Sequence, residues 1–489
     1  MVGRGEGSLT SRRVSAAPHG SDEPDAVAMP MAAGGQPGLF APGRRVLTSG
    51  IVLIITIVAF EALAVATILP LVEADLGDLH LYGWVFSAFF LGNLVGIVVA
   101  GQAADRMPLV LPFAGGAALF AAGLALAATA PSMLVLVLAR ALQGLGAGAL
   151  PAVAYVCIGR AYPPEQRPRL FALLSTAWVL PSLVGPAAAG FVGEAIGWRW
   201  VFAGLLPLVL AFGAVVAGAL RRIGSPDGGG AATVSVRDAV LVAGAGAAVL
   251  GGLGAEQWWL VTALVIGGLA VGLPAYRRLT PPGTLQLAEG LPAAIGLRGL
   301  LTFAFFAADA YVPFTLATAR GVSPGVAGLA LTAAALSWTA GSWIQARQVH
   351  RSGPRSLVRV GFAVLSGVTL AFATVLLPAV PPLVAFPLWG LGGFAMGVAY
   401  SPLSLTVLGF APRGGEGTAT AALQLADTLG VALGTGTSGA VIAWATAAGW
   451  DRSLGLVLVF ASAAVVAALG AVLAARLPGR VPREEPVTG

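Results

Sequence analysis

Long apolar runs separated by short polar stretches repeat along nearly the whole chain. A run of about 20 apolar residues is long enough to cross the hydrocarbon core of a bilayer as a helix, and only helices or closed barrels satisfy their backbone groups in lipid. Barrel strands would alternate apolar and polar positions, and these runs do not. The pattern predicts fourteen spans, at roughly 47–72, 82–104, 109–130, 133–158, 170–193, 199–220, 236–253, 257–276, 294–317, 323–346, 356–378, 382–408, 415–443 and 452–476. An even number places both termini on one side. Residues 1–45, rich in Gly, Ser, Pro and charge and lacking the apolar segment of a signal peptide, are expected to form a disordered tail, and residues 477–489 a second, shorter one.

The middle of the chain, residues 223–279, allows two readings. Its runs Ala239–Leu253 and Gln257–Tyr276 lie between the pairs Arg221/Arg222 and Arg277/Arg278, as a membrane hairpin or as an amphipathic loop. A hairpin is expected, because between Asp238 and Tyr276 the only charge is Glu256, at the turn, beside Trp258 and Trp259 at a plausible interface. Setting the hairpin aside leaves twelve spans in two sets of six, residues 46–222 and 280–476. Each set has a small residue and then a charged loop after its second helix: Gly101 to Pro108 in the first, Gly341 to Arg347 followed by Arg351 to Arg355 in the second. The expected fold is therefore all-α and integral to the membrane, with two parallel six-helix bundles and a two-helix insertion between them. Such repeats build alternating-access transporters, with the site at midplane between them.

Composition agrees. Hydrophobic residues make up 57% and charged residues 10%, with a mean hydropathy of +0.88, whereas a soluble domain carries about 25% charged residues. A net charge of +6 does not point to nucleic acid, because the 27 basic residues are all Arg and most sit in alternate loops. Arg106, Arg160, Arg221, Arg277, Arg347 and Arg413 mark one side, which the positive-inside rule makes cytoplasmic; the other side keeps Arg199, Arg320 and Arg452. Absence of Lys, a single Asn at Asn93 and abundant Ala, Gly, Pro and Arg fit a GC-rich genome, hence a bacterial source and its inner (plasma) membrane. Cys157 is alone and cannot form an internal disulfide, and His19, His80 and His350 are too scattered for a metal site. With no HExxH motif and no phosphate-cradling P-loop, neither an enzyme, a cofactor nor ATP drive is expected.

Glu61 stands in the middle of the first apolar run with nothing near it in sequence to neutralise it. A charged side chain at membrane depth costs roughly 2.5–3.5 kcal/mol on the lenient insertion scale, so it is kept for a partner charge, a water-filled cavity or a proton. Asp309 in the ninth span and Asp427 in the thirteenth are in the same position. Low dielectric favours the neutral form of a carboxyl group in general, and loss of its proton leaves a charge that attracts a cation, so proton and cation compete. Each acid could instead be an ion-paired strut between helices.

Four segments carry a family resemblance. Gly101-Gln102-Ala103-Ala104-Asp105-Arg106 follows the second span, with Pro108, Leu109 and Val110 where a Gly and a basic pair would complete the motif. Arg140, Gln143, Gly144 and Gly148 share one flank of the fourth span. Gly185-Pro186-Ala187-Ala188-Ala189-Gly190 lies in the fifth, a bent and closely packing stretch. Gly197 to Phe202 follows it. The chain thus resembles the major facilitator superfamily and, within it, the fourteen-helix drug:proton antiporters, over about residues 46–476.

The resemblance implies that Glu61 is the foremost proton-coupling group with Arg140 as its counter-charge, followed by Asp309 and Asp427. It implies gating roles for Gly101, Asp105, Arg106, Gly144, Gly148, Gly185, Pro186 and Gly190. Gln143, Tyr155, Trp178, Tyr311 and Trp338 are candidates for lining a substrate cavity, alongside Phe305 and Phe306. The expected activity is export of hydrophobic or cationic small molecules against inward protons, with protons, a small-molecule substrate and the bilayer as partners and no nucleic acid. Import of a metabolite by the same architecture and a non-transporting receptor or scaffold are the alternatives.

Overall fold

The computed structural model describes residues 39–40, 44–163, 166, 169–170, 173–174, 177, 179–221, 223, 235–412 and 415–479. Most of both expected tails lies outside them. Within the described residues the chain is helical, without strands: α1 (Arg45–Leu76), α2 (Tyr82–Arg106), α3 (Val110–Ala128), α4 (Met133–Ala161), α5 (Val179–Ile196), α6 (Arg199–Leu220), α7 (Val236–Leu253), α8 (Trp258–Leu279), α9 (Leu291–Asp309), α10 (Pro324–Phe372), α11 (Ala385–Phe410), α12 (Glu416–Ala447) and α13 (Arg452–Leu473). Counting the two arms of α10 separately gives fourteen helices. Where a loop is expected between the tenth and eleventh spans, α10 instead bends sharply at Gly353, whose φ of 72° suits a residue without Cβ, just before Pro354.

Among the described residues twelve helices are long and apolar enough to cross a membrane, including α7 and α8, as the hairpin reading requires. The described part of α5 is a shorter apolar helix, and the first arm of α10 is diluted by Gly, Ser, Thr and Gln. Among the described residues the two sets of six each pack internally. α2 and α4 cross at backbone distance: a Cβ on Gly92 would meet the Ala141 carbonyl, one on Gly144 the Phe89 carbonyl and one on Gly148 the Asn93 carbonyl. The matching helices of the second set, α10 and α11, do the same through Gly341, Gly393 and Gly397. Close approach over small residues is how helices associate where lipid supplies no hydrophobic drive.

Between the sets, α2 packs on α12 and α5 on α10, while α7 and α8 pair with each other and α7 leans on α2 and α12. The ninth span is broken: α9 stops at Asp309, a short turn Val312–Phe314 follows, and Thr315–Ala319 winds as a π-helix. Broken helices at membrane depth are tolerated where protein or water receives their freed backbone groups, and they mark sites.

Candidate functional site

Glu61 of α1 and Arg140 of α4 form an ion pair, each about 1% exposed. Glu61 lies sixteen residues into α1, so ~24 Å along a 32-residue helix at 1.5 Å per residue. Arg140 also donates from Nε to the Val85 carbonyl at 3.1 Å and from Nη1 to Gln143 Oε1 at 2.8 Å, and its guanidinium lies 4.1 Å from the centre of the Phe89 ring. The three-residue spacing of Arg140 and Gln143 puts both on one flank, as their sequence interval requires. Glu61 Oε2 and Gln143 Nε2 are buried without a hydrogen-bond partner among the described residues. A buried polar atom left unpaired costs about 1–3 kcal/mol, so this cluster is poised for one more partner.

A second buried cluster sits in the other half. Arg298 of α9, 2% exposed, faces Asp427 of α12, 14% exposed, at a loose 3.8 Å. It donates to Ser404 of α11 and stacks 3.3 Å over the Tyr400 ring. Arg298 Nε and Nη1 and Asp427 Oδ1 lack hydrogen-bond partners among the described residues. From Tyr400 an aromatic ladder climbs the second half: Trp338 at 5.3 Å between ring centres, Phe305 at 5.6 Å, then Trp389 stacked on Phe305 at 5.3 Å. Its last rung, Trp389 Nε1, donates to Asp309 Oδ1 at 2.7 Å, at the break in the ninth span. Two acids thus terminate one aromatic wall.

The halves are sealed at the end where α1 finishes and α2 begins. A Cβ on Gly190 would stand 2.5 Å from the Gly325 Cα, and one on Gly328 would stand 2.9 Å from the Pro186 carbonyl oxygen, so α5 and α10 touch backbone to backbone. Glu194 accepts from the Gly325 amide across this seam, and Thr332 donates to the Leu183 carbonyl at 3.4 Å. On the far side of the seal Ser87 of α2 donates to Ala432 O of α12 at 2.8 Å, and Gly83 abuts Gly439. Arg199 and Trp198 both bind Asp75, tying α6 to the end of α1. At the opposite, Arg-rich end Arg160 reaches Ala104 O at 2.8 Å and Asp105 at 3.9 Å within the first half, and a Cβ on Gly101 would meet nothing within 4 Å.

Comparison with known proteins fits this architecture. The family model described as "Major Facilitator Superfamily" matches residues 51–435. The chain belongs to the major facilitator superfamily. It is 26% identical over 416 residues to the Multidrug transporter protein MdtP of Bacillus subtilis, covering 82% of this chain and 75% of that one. It is 25% identical over 435 residues to a probable multidrug-efflux transporter of Mycobacterium tuberculosis, covering 85% and 92%. Among solved structures, a D-xylose-proton symporter superposes with a TM-score of 0.60 at 15% identity over 86% of this chain and 97% of the symporter. A peptide transporter POT mutant in complex with sulfate gives 0.63 at 17% identity over 88% and 93%. At these identities the solved structures establish the fold alone. The protein is a multi-pass membrane transporter of small molecules and not an enzyme.

Within this major facilitator fold the residues expected from sequence fall in several places. Glu61, Arg140 and Gln143 come together, Gly144 and Gly148 form the α2–α4 crossing, and Pro186 and Gly190 lie in the α5–α10 seam, with Gly185 at ordinary distance, 3.4 Å, from Phe60. Asp309 and Trp338 belong to the aromatic wall, and Tyr155 of α4, half-exposed, lies within electrostatic range of Tyr400 across the halves. Tyr311 is wholly buried in the seal, 5.2 Å from the Tyr82 ring. Arg106 ends α2 and is exposed; Trp178 falls outside the described residues. Sequence reasoning passed over Arg298, Tyr400, Trp389 and Glu194. The rule that singled out Arg140, a cation inside a span, applies equally to Arg298; Trp389 and Tyr400 carry no signal of their own until α9, α10 and α11 are packed together. Among the described residues no group of His, Cys, Asp and Glu could hold a metal ion.

Proposed function

We propose that this transporter exports hydrophobic, preferentially cationic and planar, small molecules from the cytoplasm in exchange for inward protons, by alternating access across a bacterial plasma membrane, with both termini inside. The observation that carries this reading is the fully buried Glu61–Arg140 pair with its one unpaired carboxylate oxygen. A proton arriving on Glu61 cancels its charge and releases Arg140 from its counter-ion, so protonation and helix position are coupled. The wall from Tyr400 to Trp389, ending on Asp427 and Asp309, supports a flat cation as the cargo: aromatic faces attract cations, and the terminal carboxylates attract the same charge. The seam at the α1–α2 end and the open space beside Gly101 support a state closed outward and open to the cytoplasm, where the substrate is loaded. The names of the relatives, a multidrug transporter and a probable multidrug-efflux transporter, lean the same way.

The test uses proteoliposomes with an imposed pH gradient and a fluorescent planar cation, with and without an uncoupler. Uphill movement driven by the gradient, opposite in direction to the protons and abolished by the uncoupler, is expected. Movement with the protons, or movement indifferent to the gradient, would overturn it.

A further inference from the structure

Helices α7 and α8 take no part in either buried cluster or in the seam, yet they wall one side of a cavity of about 360 Å³. Its surface is made by Ala245 of α7, Gly272 and Tyr276 of α8, Gly299 of α9 and Gly430 of α12, with the segment around Thr284 beneath. Small residues on all four helices create the space, and nearly everything facing it is apolar. Along α8 it runs from Gly268 to Tyr276, eight residues or ~12 Å of helix. Leu269 and Leu273 line it and are also exposed on the outer face of α8, so it opens sideways, at the depth where acyl chains lie. A slot of this shape offers dispersion contacts to an apolar chain entering from its open side.

The chemistry changes at the Arg-rich end. Arg277 and Arg278 directly follow Tyr276, Arg237 lies in the first turn of α7, and Arg476 donates to the Leu287 carbonyl at 3.1 Å and so holds the segment under the cavity. The carboxylates nearby are Asp238, already engaged by Arg278 Nε at 3.0 Å, and the exposed Glu289. Arg237 and Arg277 have no ion pair among the described residues, which leaves surplus positive charge at the level of lipid headgroups. Basic groups between membrane helices at that level select anionic headgroups, at about 1 kcal/mol per Arg.

We propose that this cavity is a binding site for one anionic phospholipid, with an acyl chain in the slot between α8, α9 and α12 and the phosphate on Arg277 and Arg237, the two unpaired cations. The two inserted helices thereby hold a structural lipid against the Gly299–Gly430 contact of the second half. The proposal rests on the fold and on these residues, and not on the direction or coupling of transport.

The full chain, reconstituted in nanodiscs of equal phosphatidylglycerol and phosphatidylcholine and then released into detergent, is analysed by native mass spectrometry. One retained phosphatidylglycerol per protein is expected, preferred roughly thirtyfold over phosphatidylcholine, which is the two-Arg contribution of about 2 kcal/mol converted to a ratio. Arg277→Gln and Arg237→Gln/Arg277→Gln, which disturb no ion pair, should lower that preference stepwise while some lipid is still held. Leu273→Trp, which fills the slot from its exposed side, should abolish retention of both lipids while the protein stays monodisperse and helical. Equal retention of the two lipids by the unaltered chain, no retained lipid, or unchanged retention in Leu273→Trp would each overturn the proposal.

Discussion

Glu61→Gln is the sharpest perturbation this structure offers, because it removes one charge at nearly constant volume. The ion pair it breaks is wholly enclosed, and removing one partner of a buried pair costs about 3–5 kcal/mol since the other charge is left uncompensated. Arg140 would retain its bonds to the Val85 carbonyl and Gln143 and its place over the Phe89 ring, which sets the cost at the low end, about 3 kcal/mol or two powers of ten in the population of this state. Two readouts follow. In proteoliposomes the variant should bind substrate and exchange it downhill, yet lose gradient-driven accumulation. In a thermal unfolding series Glu61→Gln and Arg140→Gln should each destabilise, while the double variant should lie above the sum of the two by about 1–3 kcal/mol, the coupling of groups in contact. Full gradient-driven accumulation by Glu61→Gln would refute the assignment of the proton to this carboxylate, and additive stabilities would refute the coupling itself.

Three further outcomes are expected. Gly190→Leu cannot fit against the Gly325 backbone and should disfavour the sealed state by about 1–3 kcal/mol, read as increased labelling of a cysteine introduced near Gly325 from the α1–α2 side; unchanged labelling would argue against the seam as a gate. Trp389→Phe keeps the stack on Phe305 but takes the hydrogen bond from Asp309, a contact to a charged group worth about 1.5–3 kcal/mol, so the Kd for a planar cation should change at least tenfold, whereas Leu383→Ala on the exposed surface should leave it alone. Asp427→Asn should lower the melting temperature by stranding Arg298, and adding Arg298→Gln should recover most of the loss; no recovery would mean the two do not act as a pair.

Much of the fold was legible because hydrophobic runs in lipid admit so few structures. The fourteen helices, the two-helix insertion and the family all followed from the apolar pattern and a handful of motif residues. What failed to show was contact between segments distant in sequence. Arg140 and Glu61, 79 residues apart, are an exception, because the family resemblance and their shared cost of burial pointed to the pair. Trp389 and Asp309 are 80 apart, and an indole in an apolar run gives no sign that its N–H aims at a carboxylate. The bend at Gly353 was hidden for a local reason: a charged Arg-rich stretch reads as a loop, whereas one glycine at positive φ lets the helix continue on both sides. Arg298 was legible and overlooked, being an intramembrane cation governed by the same rule as Arg140.

The character of the seal bears on how a proton could move this molecule. Between the halves, the hydrogen bonds and ion pairs found among the described residues are few: Glu194 to the Gly325 amide, Thr332 to Leu183 O, Ser87 to Ala432 O with Thr435 beside it, and Arg452 to Glu73 at 3.5 Å on the exposed rim. At about 1 kcal/mol net for each, the directional contacts of the seal amount to only a few kcal/mol. Turning a two-state equilibrium from 1:99 to 99:1 takes about 5.5 kcal/mol of differential binding. The quantities are of one size, so the proposed discharge of the Glu61–Arg140 pair, at about 3–5 kcal/mol, would supply most of that shift. A seal built from many buried ion pairs would be too stable for such a trigger. Glycine against glycine, at Gly190–Gly325 and Gly83–Gly439, gives a close steric fit while adding little directional bonding to be broken, which suits the gating role proposed for this seam.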